Sequence, residues 1–86
     1  MVIDWVSVDS SVFEAVAYRR GEGQLYLKFH RGRIWRYFDF PAHQYHELLA
    51  SESLGRYFGK QIRGKFREEE VEEAPLHRGL SYSSSE

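Results

Sequence analysis

An α+β fold, a three-stranded antiparallel β-meander followed by two helices packed on one face of the sheet, is predicted by three observations. Between residues 12 and 38 apolar side chains recur at alternate positions, the period of a half-buried strand, and two glycine-containing segments, RGEG and HRG, divide that run. Beyond Phe40-Pro41 the apolar spacing changes to three and four, the period of a helix. The chain has 86 residues, no cysteine and fourteen aromatic residues, so a single thin core built from large rings is expected, with no disulfide or thiolate metal site.

The first strand runs from Val12 to Arg19, with Val12, Glu14, Val16 and Tyr18 on one face and Phe13, Ala15 and Ala17 on the other. Its alternation is imperfect. The second is QLYLKFH, in which Leu25, Leu27 and Phe29 alternate with Tyr26, Lys28 and His30, and the third spans Arg33 to Phe38. Proline cannot donate to a ladder but suits the first turn of a helix, so Pro41 ends the sheet and a helix follows from Ala42 to Ala50 with Tyr45, Leu48 and Leu49 on one face. A second helix, capped by Ser51 or Ser53, is expected from Leu54 to Lys65, with Leu54, Phe58, Ile62 and Phe66 recurring every four residues.

Which way Trp35 and Tyr37 face depends on hairpin register, because a slip of one residue exchanges the two faces of a strand. A two-residue loop, Arg31-Gly32, requires positive φ of an arginine and turns Trp35 away from Leu27. A three-residue loop, His30-Arg31-Gly32, requires it only of Gly32 and sets Leu27 beside Trp35 and Leu25 beside Tyr37. The second is preferred. With residue 19 paired to 24 across the RGEG turn, it assembles Val16, Tyr18, Leu25, Leu27, Phe29, Trp35 and Tyr37 on one face beneath the helices.

The formal charge of −1 hides an asymmetry: residues 1–66 carry +3 and residues 67–86 carry −4. The organisation expected is a lead-in over 1–9, a folded unit over 10–66, and an acidic, Ser-rich, disordered tail over 67–86 whose removal changes stability little. The N-terminal MVIDWVSVDSS has acids and no long apolar run, so neither a signal peptide nor a membrane span is expected, and the expected location is cytoplasmic.

Arranged in this order, Ser10-Ser11, Val16, Tyr18, Leu25 to Phe29, Gly32, Trp35-Arg36-Tyr37, Phe40-Pro41, Tyr45, Leu48-Leu49, Ser53 to Phe58 and Ile62-Arg63 resemble a KTSC domain over about residues 10 to 66. That short module is named for the C-terminal region of some lysyl-tRNA synthetases and also occurs as a stand-alone protein. Trp35 replaces the first tyrosine of the family's central motif, and Gly59 stands where a polar residue usually follows Tyr-Phe. The resemblance implies a small α+β domain in which Tyr18, Trp35 and Tyr37 are core residues. RNA binding is implied only through the attachment to a synthetase.

At 100° per residue, Arg56, Lys60, Arg63 and Arg67 fall within about 60° of one another on the second helix, opposite Phe58, Ile62 and Phe66. Such a stripe suits a phosphate backbone, with Lys28, Arg31, Arg33 and Arg36 extending it and Tyr26 offering a ring for a base to stack on. Equally, charged helix faces serve solubility. Ser53, Gly55 and Arg56 open that helix, where an anion is favoured, although a serine cap and a packing glycine explain the same residues. His43 and His46, with Glu47, lack a third ligand at metal-site spacing, so no metal or other cofactor is expected. No serine elbow or carboxylate pair marks a catalytic centre. The expected function is therefore non-catalytic binding of RNA or another polyanion, with a protein-interaction module as the alternative.

Overall fold

The computed structural model describes residues 4–71. It is an α+β fold with a five-stranded antiparallel sheet, where the sequence predicts three strands. The strands are β1 (Val6–Ser7), β2 (Phe13–Arg19), β3 (Gln24–Phe29), β4 (Ile34–Tyr37) and β5 (Glu68–Val71), hydrogen-bonded in chain order. Two helices, α1 (Ala42–Ala50) and α2 (Leu54–Tyr57), lie between β4 and β5, and α2 runs into a π-helical turn over Phe58–Ile62.

Both hairpins close where glycine allows it. Gly32 has φ +89°, Phe29 N–H donates to the Arg33 carbonyl at 2.8 Å, and Leu27 pairs with Trp35 and Leu25 with Tyr37. At the other turn Arg19 pairs with Gln24 and Gly23 has φ +63°. The three-residue loop thus sets the register, and Trp35 and Tyr37 face the helices. The core on that side contains Phe13, Val16, Leu25, Leu27, Tyr37, Phe40, Leu48 and Ile62, with Tyr18, Phe29 and Trp35 half-buried against it.

Phe13 belongs to this face, not to the side of Ala15 and Ala17. A β-bulge between Phe13 and Ala15 inserts one residue against β3 and so reverses the alternation of β2 at its start. Phe13 then meets Phe29 and Phe58, with ring centroids 4.8 and 5.4 Å away. The Ser10 hydroxyl holds the entry to the strand by accepting the N–H groups of Val12 and Phe13.

The expected helix over 54–65 is shorter. It keeps α geometry only to Tyr57, after which the Arg63 N–H reaches back five residues to the Phe58 carbonyl at 2.8 Å. Arg63 is extended, and Gly64 with φ +75° turns the chain away from the helix. Two glycines weaken α propensity within the segment and a third supplies the left-handed turn.

The tail also differs from its expected disorder. Residues 68–71 of the segment expected to be disordered form β5, which pairs along the whole of β4: Ile34 with Val71, Trp35 with Glu70, Arg36 with Glu69 and Tyr37 with Glu68. The expected harmlessness of deleting 68–86 falls with it, because that deletion would uncover β4. Residues 72–86 and 1–3 lie outside the described part of the chain. Val71 and Trp5, from the two edges of the sheet, pack on a second buried cluster of Ala17, Tyr26 and Ile34 on the face away from the helices.

Candidate functional site

The basic residues of the sheet are engaged internally. Glutamates on β5 alternate between the two faces, as any strand requires, and each meets a partner on or beside β4. Glu69 pairs with Arg36, Glu70 lies 3.4 Å from Arg33, and Glu68 is the cross-strand partner of Tyr37. On the other side of β3, Lys28 lies 3.7 Å from Glu14. Arg36 is held further by donating to the Tyr26 hydroxyl at 3.2 Å. The hydrogen bond to Glu69, then that to Tyr26, pushes the Arg36 pKa upward.

Tyr26 is not a stacking platform. It is 0% exposed, with Trp5 edge-on at 6.4 Å and its hydroxyl 3.2 Å from the Gln24 side-chain oxygen. Its position between Lys28 and Gln24 suggests an outward-facing residue, and that reading fails because Trp5 and Val71 cover this side of the sheet.

Nor do the four cations of the expected helix share one face. The helix ends before Arg63, and beyond Gly64 the chain carries Arg67 to the sheet edge, where its guanidinium lies 4.1 Å from the centre of the Phe38 ring. Arg56 and Lys60 remain together, one turn apart and exposed, on a shallow pocket of about 250 Å³ with Tyr57 and Gln61. Arg63 is exposed on the opposite flank, and Arg31 is exposed at the tip of the β3–β4 hairpin, away from this group. Among the described residues, Arg56, Lys60 and Arg63 have no ion-pair partner.

At the start of α2, Ser53 acts as a cap, its hydroxyl accepting the Arg56 N–H at 3.2 Å. Gly55 serves packing: a Cβ there would sit 2.8 Å from the Val12 Cγ2. Val12 is β-branched and cannot swing aside as a long side chain would. Gly55→Ala should therefore destabilise the domain by about 1–3 kcal/mol. Gly59→Ala, where a Cβ meets nothing within 4 Å, should leave stability unchanged or raise it by up to about 1 kcal/mol. Thermal melts of the two variants check this, and equal melting temperatures would remove the packing role of Gly55.

The flank of α2 and the π-turn that faces the sheet borders an open cleft of about 500 Å³. Phe29, Trp35 and Tyr37 wall it from β3 and β4, Phe58 and the two glycines Gly55 and Gly59 from the helical side, and Arg63 and Glu68 stand in its lining. Phe58 packs edge-on against Phe29 and Tyr37, each at 6.0 Å, whereas Trp35 makes no ring contact among the described residues. Burial, reinforced by Glu68 and opposed by Arg63, pushes the Tyr37 pKa well upward, so the phenol stays neutral. The sequence reading places Trp35 and Tyr37 on this side but misses the cleft, because Phe29, Phe58, Gly59 and Glu68 come together only through β5 and the π-turn.

The remaining candidates are separate from it. His43 and His46 are exposed on α1, and Glu47 accepts from the Tyr57 hydroxyl at 2.8 Å. Among the described residues no three His, Cys, Asp or Glu side chains are grouped to hold a metal, and no helix is long and apolar enough to cross a membrane. Tyr18 lies in the wall of the core, stacked on Tyr45 at 4.9 Å, with its hydroxyl donating to the Phe40 carbonyl.

A family model described as the KTSC domain matches residues 9–66. A curated protein of Tsukamurella paurometabola is 37% identical over 60 residues, which make up 70% of this chain and 90% of that protein. The crystal structure of a KTSC domain protein from Yersinia pestis is similar with a TM-score of 0.77, covering 81% of this chain and 99% of that one at 24% identity, a likeness of fold. The matched span contains both the Trp35-Arg36-Tyr37 and the Ser53 to Phe58 motifs, from which Trp35 and Tyr37 on one side and Phe58 on the other line the cleft, and on that match the chain belongs to the KTSC domain family.

Proposed function

We propose that the protein is a small non-catalytic binding module for RNA or another polyanion, engaged through Arg56, Lys60 and Arg63 along α2 and the π-turn. The observation that carries this reading is the division of the cations: Lys28, Arg33 and Arg36 are matched by Glu14, Glu70 and Glu69, while these three stay exposed without a described ion-pair partner, Arg56 and Lys60 on one flank of the helical segment and Arg63 on the other, in the lining of the aromatic cleft. Cations left open next to aromatic rings are the elements of single-strand binding: charge for the backbone and a ring for a base. Arg31, Arg67 and the sheet arginines are not part of this surface. Neither is Tyr26.

Phosphate contacts release counterions, so each cation on single-stranded RNA contributes roughly −0.7 to the slope of log K against log salt. Three contacts give about −2. Replacing Arg56, Lys60 and Arg63 together with Gln should remove that slope and leave the fold intact, since none of the three side chains is buried. Undiminished RNA affinity in the triple variant, or no RNA binding by the full chain at low salt, overturns this reading and leaves the cleft to a protein partner. Binding to such a partner would depend little on salt.

A further inference from the structure

We infer that the cleft between β4 and the π-turn is a base pocket selective for guanine, an inference that rests on the polyanion reading above and specifies which base a bound single strand places there. The first ground is Trp35. It is half-buried, its indole faces the cleft, and it is left without a ring partner in a site whose other rings pack on one another. A flat aromatic ligand completes that stack. The volume of about 500 Å³ falls within the range of small-molecule sites, roughly 300–1,000 Å³.

The second ground is the carboxylate. Glu68 in a surface that receives a polyanion is unfavourable towards phosphate, and its presence is explained if it meets hydrogen-bond donors on the ligand. A carboxylate has two oxygens and about four acceptor positions, and Glu68 stands beside Tyr37 in the cleft lining. It suits an edge with two adjacent N–H donors, bound bidentately. Of the four RNA bases only guanine has such an edge, its N1–H beside its N2 amino group. Adenine and cytosine place an acceptor nitrogen beside their amino group, and the N3–H of uracil lies between two carbonyls. Arg63 lines the same cleft and is left to neutralise the phosphate attached to the bound base.

The test uses the full chain carrying Trp5→Phe, so that Trp35 is the one fluorophore of its kind. GMP, AMP, CMP and UMP are titrated against its fluorescence, and oligouridines with and without a single central guanine are compared at two salt concentrations. The expected result is quenching of Trp35 by GMP above the other nucleotides, and about tenfold tighter binding of the guanine-containing strand. Glu68→Gln keeps one acceptor oxygen but substitutes a donor for the second. It should erase the guanine preference while the salt slope stays. Gly59→Leu, at a position with open space above it, should block the cleft and abolish quenching without loss of fold, which a thermal melt verifies. RNA binding with the expected salt slope but equal affinity for all bases, or with no change in Trp35 emission, overturns the guanine pocket and leaves the polyanion reading standing. Absence of any RNA binding overturns both.

Discussion

Truncation after Arg67 is expected to remove most of the stability of the domain. β5 supplies the whole outer ladder of β4, from Ile34–Val71 to Tyr37–Glu68, and its loss also uncovers Ile34, on which Val71 packs. Net contributions of about 1 kcal/mol per hydrogen bond and a similar amount for a half-buried valine add to roughly 3–5 kcal/mol. That equals the total stability expected of a domain this small. The exposed pairs Arg36–Glu69 and Arg33–Glu70 add little, since ion pairs in contact with water are worth about 0–1 kcal/mol each. Comparing chains ending at 71 and at 67 isolates the strand. A loss of about 3 kcal/mol lowers the melting temperature by roughly 12–24 °C in a domain of this length, and often abolishes a cooperative transition altogether. A chain ending at 67 that melts within about 3 °C of the chain ending at 71 would show that β5 is dispensable.

The same strand shows where sequence reasoning stops. Composition treats residues 67–86 as one acidic, Ser-rich segment, and composition is blind to what lies opposite it. The signal present in the sequence is complementarity: EEEV alternates three acids and an apolar residue against IWRY and its preceding arginine, and antiparallel pairing sets Glu69 opposite Arg36. The hairpins are legible for the opposite reason. Their register follows from local chemistry, the positive φ of Gly32 and Gly23, and needs no knowledge of distant partners. The bulge at Phe13 and the π-turn at Phe58 lie between these cases. Each inserts one residue into a regular pattern, which exchanges the faces on one side of the insertion relative to the other, so Phe13, before the bulge, joins the helix-side core and Arg63, after the π-turn, leaves the stripe of Arg56 and Lys60. The cleft depends on both strands and on the π-turn, and so its polar residues, Arg63 and Glu68, come from segments that the sequence assigns to a helix and to a tail.

Tyr26→Ala separates the structural account of the sheet face from the sequence expectation. A tyrosine that stacked bases on an open face would, when truncated, weaken RNA binding and leave the fold unaltered. The buried Tyr26 predicts the reverse. Its ring is 0% exposed between the sheet and Trp5, and removal of a buried aromatic ring costs about 3–5 kcal/mol in transfer and cavity terms. The hydroxyl adds to this, because it accepts from Arg36, and the truncated site withdraws that partner from a half-buried guanidinium. The expected outcome is a chain that is largely unfolded at 37 °C, with collapse of near-UV circular dichroism. Tyr26→Phe retains the ring and loses only the bonds to Arg36 and Gln24, so it should cost about 1 kcal/mol and unfold cooperatively. With the fold preserved, Tyr26→Phe should bind RNA with the slope and affinity of the parent chain, since Arg56, Lys60 and Arg63 lie on the helical side, away from this face. A folded, stable Tyr26→Ala protein with weakened RNA binding would return Tyr26 to the surface and overturn the two-sided core.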